Sequence, residues 1–191
     1  MKLSKNFLIT FVMLLVVFSF GLSQATAAET IKIGVILPLS GGSSIAGMEV
    51  LSGIELAMEN VNAAGGVLGK QIELIKEDDQ SIPTNGVTAA QKLITRNKVK
   101  ALIGTYNSSV ALPTSDIARR NKIPMISGGS TSSKVTQKNT PGDLWFFRAF
   151  PGSNSQGTQS AEDVVYRLKK NKLAILYENT AYGKSLEKTF R

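Results

Sequence analysis

The chain reads as an α/β protein: a doubly wound parallel sheet with helices on both faces, followed by the start of a second, similar unit. Three observations carry this. From Ile31 onward, short apolar runs alternate with stripes at helical spacing. The links between them are short and punctuated by glycine or proline. A repeated β-α-β order with such links pairs its strands in parallel through crossover helices, and those helices cover the sheet.

The segment before the first strand is a separate object. Lys2 and Lys5 make a positive start, Phe7 to Phe20 is almost wholly apolar, and Ser23-Gln24-Ala25-Thr26-Ala27 offers an A-x-A site. Residues 1–27 are therefore read as a cleavable secretory signal peptide. No cysteine follows it, so a lipid anchor at cysteine is excluded. The chain of 191 residues has no cysteine and no histidine. Disulfides, thiolate or imidazole metal ligands and Ser-His or Cys-His dyads are excluded with them.

The formal net charge is +8, but the basic residues are scattered. Lys92, Arg96, Lys98 and Lys100, then Arg119, Arg120 and Lys122, then Lys169, Lys170 and Lys172 each fall where a helix ends before a strand. Cations there complement the helix dipole. With no interleaved aromatics in an exported chain, nucleic acid is not the expected partner.

The elements follow in order. Ile31 to Leu37 is β-like and stops at Pro38. Met48, Leu51, Ile54, Met58 and Val61 form a helical stripe that ends at Ala64-Gly65-Gly66. Gln71 to Lys76 is the second strand. Pro83 opens a helix whose buried face is Val87, Ala90, Leu93 and Ile94. Val99 to Gly104 is the third strand, and a helix from about Val110 to Asn121 follows, with Pro113 in its first turn. Ile123 to Ser127 is the fourth strand.

The pattern then changes. Asp143 to Phe150 is a dense aromatic strand, and Pro151-Gly152-Ser153-Asn154-Ser155 punctuates it. This composition break divides the remainder into a first unit at 28–149 and the start of a second at 150–191. The second unit is expected to hold a helix through Ala161, Val164, Val165 and Leu168, a strand from Lys172 to Tyr177, and a helix from Tyr182. Such a piece does not bury its own apolar faces, so the sequence reads as lacking the rest of a longer protein.

In open α/β sheets, ligands sit outside the carboxyl ends of the strands. Three of those ends here are loops of glycine and hydroxyl residues: Leu39-Ser40-Gly41-Gly42-Ser43-Ser44, Gly104-Thr105-Tyr106-Asn107-Ser108-Ser109, and Ser127-Gly128-Gly129-Ser130-Thr131-Ser132-Ser133. Glycine lets backbone N–H groups approach a ligand, and hydroxyls both donate and accept. None of the three contains lysine or arginine. The expected ligand group is a lone carboxylate or a neutral polar group rather than a triphosphate. Taken singly, each loop is an ordinary turn with serine capping a helix; their coincidence on one edge points to a site.

The same positions carry a resemblance. Ile33-Gly34-Val35, Leu39-Ser40-Gly41, Gly53, Val61-Asn62-Ala63-Ala64-Gly65-Gly66-Val67-Leu68-Gly69, Asp78-Asp79, Ile103-Gly104, Ser108-Ser109, Pro113 and Ile123-Pro124-Met125-Ile126-Ser127 follow one another as in the branched-chain amino-acid (leucine/isoleucine/valine) binding proteins. That family of type I periplasmic binding proteins serves ABC importers, and the chain resembles it over its whole length after the signal. The resemblance implies two α/β lobes that close on an amino acid by hinge motion. It implies a periplasmic receptor with an ABC permease complex of the inner membrane as partner, without catalytic residues, cofactor or metal. Matched residue by residue, carboxylate and ammonium binding falls on Ser108 or Ser109 and on Ser130 and Thr131. The aromatic of the second lobe's Tyr-Gly pair falls on Tyr182 before Gly183, where a surface position near a helix start is the plain alternative.

Two departures bear on the ligand. Relatives carry a large aromatic in the loop after the first strand, where this chain has Ile45-Ala46-Gly47. The acidic residue expected to meet the ligand's ammonium comes from later in the second lobe, beyond these residues. An amide, a short peptide or an aromatic acid stays open beside leucine, isoleucine and valine. Two other classes also stay open: a solute sensor of the same fold, and an exported α/β enzyme. For the enzyme, Gly65 to Gln71 has one residue too few for a P-loop, and Ser185-x-x-Lys188 is a chance-level spacing. LSGG at Leu39 to Gly42 matches the start of a transporter-ATPase signature, but it directly follows the first strand with no Walker A before it.

Overall fold

The computed structural model describes residues 29–191, so the signal-peptide reading of 1–27 lies outside the described residues. In chain order the elements are β1 (Ile31–Leu37), α1 (Ser44–Ala63), β2 (Ile72–Asp78), α2 (Pro83–Thr95), β3 (Ala101–Gly104), α3 (Ser108–Arg120), β4 (Met125–Ser127), α4 (Ser133–Thr136) and β5 (Phe146–Arg148). Then come α5 (Ser153–Glu162), a π-helical turn (Asp163–Arg167) and α6 (Ala181–Phe190).

The strands form one parallel sheet in the order β2-β1-β3-β4-β5. From β1 the chain moves outward to β2, then returns across β1 to β3. The order therefore reverses between β1 and β3, which is where an open sheet has its crevice.

One face of the sheet carries most of the core. Ile36, Leu102, Met125 and Phe146 pack against Ala90 and Leu93 of α2 and Ala111, Ile117 and Ala118 of α3. Leu93 is fully buried, which contributes roughly 1.5–3 kcal/mol on transfer grounds. The two helices meet at Gly86, where a Cβ would collide with the Val110 side chain and stand 2.8 Å from the Thr114 hydroxyl. On the opposite face Val35 and Leu37 pack with Leu51 of α1. The stripe read on α1 is only partly covered: Leu51 is buried, while Met48 and Val61 are 47% and 37% exposed. Ile126 and Phe147, register neighbours in β4 and β5, are also exposed on this side.

Two sequence expectations are corrected. The third helix starts at Ser108 and not near Val110, so Pro113 lies inside it rather than in its first turn. A proline there has no N–H for the Ser109 carbonyl, four residues back. The second correction concerns Lys172 to Tyr177, expected as a strand. It runs without ladder pairing and is exposed throughout. Strand propensity alone does not make a strand; the backbone groups need a strand to pair with, and among the described residues none pairs with this segment. Val165 and Leu168 are 50% and 54% exposed, in line with a segment that does not bury its own apolar faces.

Helices α5 and α6 nonetheless pack closely on each other. Ser153 and Ser185 bring their hydroxyl oxygens to 2.6 Å, and the Thr189 hydroxyl donates to the Ser153 carbonyl at 3.1 Å. Small residues along this seam let the two backbones approach.

Candidate functional site

The loops after β1, β3 and β4 meet at the carboxyl edge of the sheet, as their positions require. Gly104 starts the middle loop at φ +129°, and a Cβ there would collide with the Ile36 carbonyl on the neighbouring strand. Only glycine lets β3 turn away so close to β1. Loop one is held from the other side by Asp78, at the end of β2. Asp78 Oδ1 accepts the Leu39 N–H at 2.8 Å, the Ser40 N–H at 3.3 Å and the Gln80 N–H at 2.8 Å. Its Oδ2 accepts the Ser40 hydroxyl at 2.6 Å. Burial pushes the Asp78 carboxyl up, but the Ser40 hydroxyl and the Gln80, Leu39 and Ser40 N–H groups outweigh it and hold the carboxyl below its ordinary value. The acidic pair read in the sequence is thus split in role: Asp78 clamps a loop, and Asp79 is fully buried beside it.

Asp79 donates its N–H to the Leu37 carbonyl at 3.0 Å and accepts the Ile82 N–H on its own carbonyl at 2.7 Å. Its Oδ1 accepts the Ser81 N–H at 2.8 Å, while Oδ2 is buried with no partner. Burial pushes this carboxyl up to about 6; the Ser81 N–H pulls the other way, and the Asp78 charge adds to the rise.

Ser108, Ser109, Ser130 and Thr131 lie together but have different freedoms. Ser130 is fully buried and donates to the Thr105 carbonyl at 2.8 Å and the Tyr106 carbonyl at 3.2 Å. Its proton is committed inside the protein. Ser127, not singled out in the sequence, does similar work: it donates to the Thr105 carbonyl at 2.6 Å and accepts the N–H groups of Gly129 and Ser130. Ser108 is buried and accepts the Ser132 N–H at 3.2 Å, and its own hydroxyl proton has no acceptor among the described residues. Ser109 accepts the Ala181 N–H at 3.1 Å and likewise keeps its proton. Thr131 is half-buried. Ser108 and Ser109 are the first two helical residues of α3, where backbone N–H groups have no partner within the helix and attract negative charge.

The Ser109 contact carries α6 to this edge. Thr180 caps that helix by accepting the Gly183 N–H at 3.0 Å. Tyr182 is half-buried there and donates its hydroxyl to Gln156 Oε1 at 3.2 Å. It also lines an apolar cavity of about 270 Å³ together with Ile175, Tyr177, Leu186 and Phe190. None of Ser108, Ser109, Ser130 and Thr131 lines that cavity, so it is separate from the loop edge.

One residue at this edge escaped the sequence reading. Arg148 lies in β5 in register with Ser127. Its Nη1 donates to the carbonyls of Thr131 at 2.8 Å and Ser132 at 3.2 Å. The loops themselves hold no cation, and the pairing of β5 with β4 brings the Arg148 charge to them.

Comparison with known proteins agrees with this architecture. The profile of a family described as periplasmic binding protein matches residues 30–191. The chain therefore belongs to the periplasmic binding proteins. It is 36% identical over 162 residues to Leu/Ile/Val-binding protein homolog 2 of Brucella abortus, covering 84% of this chain and 42% of that one. Its fold matches the branched-chain amino acid transporter substrate binding protein LivJ of Streptococcus pneumoniae, solved with isoleucine, at TM-score 0.77 and 29% identity. That match covers 85% of this chain and 46% of the other. A solute binding protein of an ABC transporter from Rhodopseudomonas palustris, solved with 3,4-dihydroxy benzoic acid, matches at TM-score 0.70 and 28% identity, over 84% and 42% of the two chains. The chain spans less than half the length of these relatives.

Proposed function

We propose that the chain is the solute-recognising part of an extracytoplasmic receptor of an ABC importer. It takes the carboxylate of a branched-chain or related amino acid at the edge between β1, β3 and β4. The observation that supports this best is the meeting of α3 and α6 at their N-termini through Ser109 and Ala181, beside the Ser130 to Ser132 loop. The first-turn N–H groups of α3, the N-terminus of α6 and the hydroxyl protons of Ser108 and Ser109 suit a carboxylate. Ser130 supports the site from behind and Thr131 sits at its margin; Tyr182, which follows Ala181, faces the neighbouring apolar cavity. On this reading the protein acts in the periplasm, hands its solute to an inner-membrane permease, and catalyses nothing.

A carboxylate-centred site also suits an aromatic acid, which the relative solved with a dihydroxybenzoate takes. The absence of a large aromatic at Ile45 favours that extension, since it leaves room beside loop one. Titration calorimetry with leucine, isoleucine, valine, 4-hydroxybenzoate and leucinamide tests the proposal. Stoichiometric heat with at least one acid is expected, with leucinamide at least about tenfold weaker than leucine if leucine is the solute. Equal binding of leucine and leucinamide, or no heat with any acid, overturns it.

A further inference from the structure

We infer that Arg148 is a positioning residue of this site: it holds the Thr131–Ser132 turn so that the Ser108 oxygen accepts there and keeps its own proton for a ligand, and it ties that turn to the crossover at Gly152–Ser153. The functional half of this inference rests on the carboxylate-receptor reading.

The geometry runs through planar peptides. In a trans peptide the C=O and N–H point to opposite sides. Arg148 Nη1 holds the Thr131 carbonyl at 2.8 Å, so the N–H of the same peptide, that of Ser132, points away from the guanidinium. There it meets the Ser108 oxygen at 3.2 Å. An oxygen that accepts on that side has its proton on another, and so remains a donor. The Ser132 carbonyl, also on Nη1 at 3.2 Å, fixes the next peptide in the same sense. The Thr131 carbonyl accepts a second bond, from the Ser153 N–H at 2.8 Å, at the start of α5. The guanidinium itself lies against Gly152, where a Cβ would come 2.8 Å from Nη2. One side chain thus joins β5, the serine turn and the segment that leads out of the sheet.

A lysine does not substitute fully. Arginine presents several donors in a rigid planar fork, whereas an ammonium is a point charge on a flexible stem. Among the described residues Arg148 forms no ion pair, so its charge acts on these carbonyls without a competing carboxylate.

The test compares Arg148→Gln and Arg148→Lys with the unaltered chain. Amide hydrogen exchange without solute comes first. In Arg148→Gln the Ser132 and Ser153 amides should exchange about tenfold faster or more, with partial recovery in Arg148→Lys. The Leu102 amide, bonded to Pro124 in the middle of the sheet, should stay protected and so report an intact fold. Calorimetry with leucine and leucinamide follows. Arg148→Gln should weaken leucine about tenfold and narrow its preference over leucinamide, which a general loss of stability does not do. Unchanged exchange at Ser132 and Ser153 overturns the positioning role whatever the solute is. Faster exchange with unchanged leucine binding overturns its link to the site. If the unaltered chain binds none of the acids, the receptor reading fails, and the exchange data alone still decide the positioning role.

Discussion

Asp79→Asn should make the protein more stable at neutral pH, and the gain should fade in acid. Asp79 is fully buried, and one of its oxygens has no partner. Its carboxyl is raised from the ordinary 3.8 to about 6, chiefly by burial, with the Asp78 charge contributing and the Ser81 N–H opposing. Between these values the folded chain holds a proton that the unfolded chain has lost. Stability therefore falls as pH rises through the window and levels off above about 6. At roughly 1.4 kcal/mol per pH unit the full cost is about 3 kcal/mol, of which about 2.5 develops between pH 4 and pH 8. Asparagine keeps an oxygen for the Ser81 N–H and has no charge to desolvate. Its buried amide adds a penalty of about 1–3 kcal/mol, but that penalty is the same at both pH values and cancels in the comparison. Thermal unfolding of both proteins at pH 4 and pH 8 is the assay. The melting-temperature difference, variant minus parent, should grow by about 5–10 °C from pH 4 to pH 8. A difference independent of pH would refute the argument, because it would mean that Asp79 titrates alike in both states.

Three further outcomes are expected. Asp78→Asn should destabilise the chain by about 1–3 kcal/mol at pH 7, since four charge-assisted hydrogen bonds converge on that carboxylate. Its native-state value is depressed, so the stability it supplies is present above 3.8 and disappears as pH falls, and urea titrations at pH 7 and pH 3 should show the gap closing. Gly104→Ala should cost about 3 kcal/mol or more, because φ is +129° and the methyl meets the Ile36 carbonyl; circular dichroism melting reads this directly. Ser109→Ala should weaken carboxylate binding about fivefold to tenfold with little change in melting temperature, as calorimetry on the folded variant will show.

Most of the sheet and its covering helices was legible because the signals are local. Alternating β-like runs, the stripe through Leu51 and Ile54, Gly65-Gly66 after α1 and Pro83 at the start of α2 all act within a few residues. What failed depended on distant parts. Lys172 to Tyr177 has strand composition, yet a strand exists only with a neighbour, and the local pattern says nothing about one. Pro113 was placed in the first turn of a helix from about Val110, although α3 tolerates it as its sixth residue. In the candidate site, the meeting of the three loops at one edge was legible, but the direction of each hydroxyl was not. Ser130 spends its proton on Thr105, which no spacing rule foretells. Arg148 was missed because β-sheet register, not sequence distance, brings it to Thr131.

The bond from the Ala181 N–H to the Ser109 oxygen has a thermodynamic corollary. A carboxylate that settles on both helix ends does not add a hydrogen bond at that place; it takes one over. The enthalpy of that contact is largely an exchange, and the discriminating part of the binding free energy must come from the remainder of the solute. Selectivity for side chains would then be read in the apolar surroundings, while the serine edge supplies a common handle for any acid of suitable size.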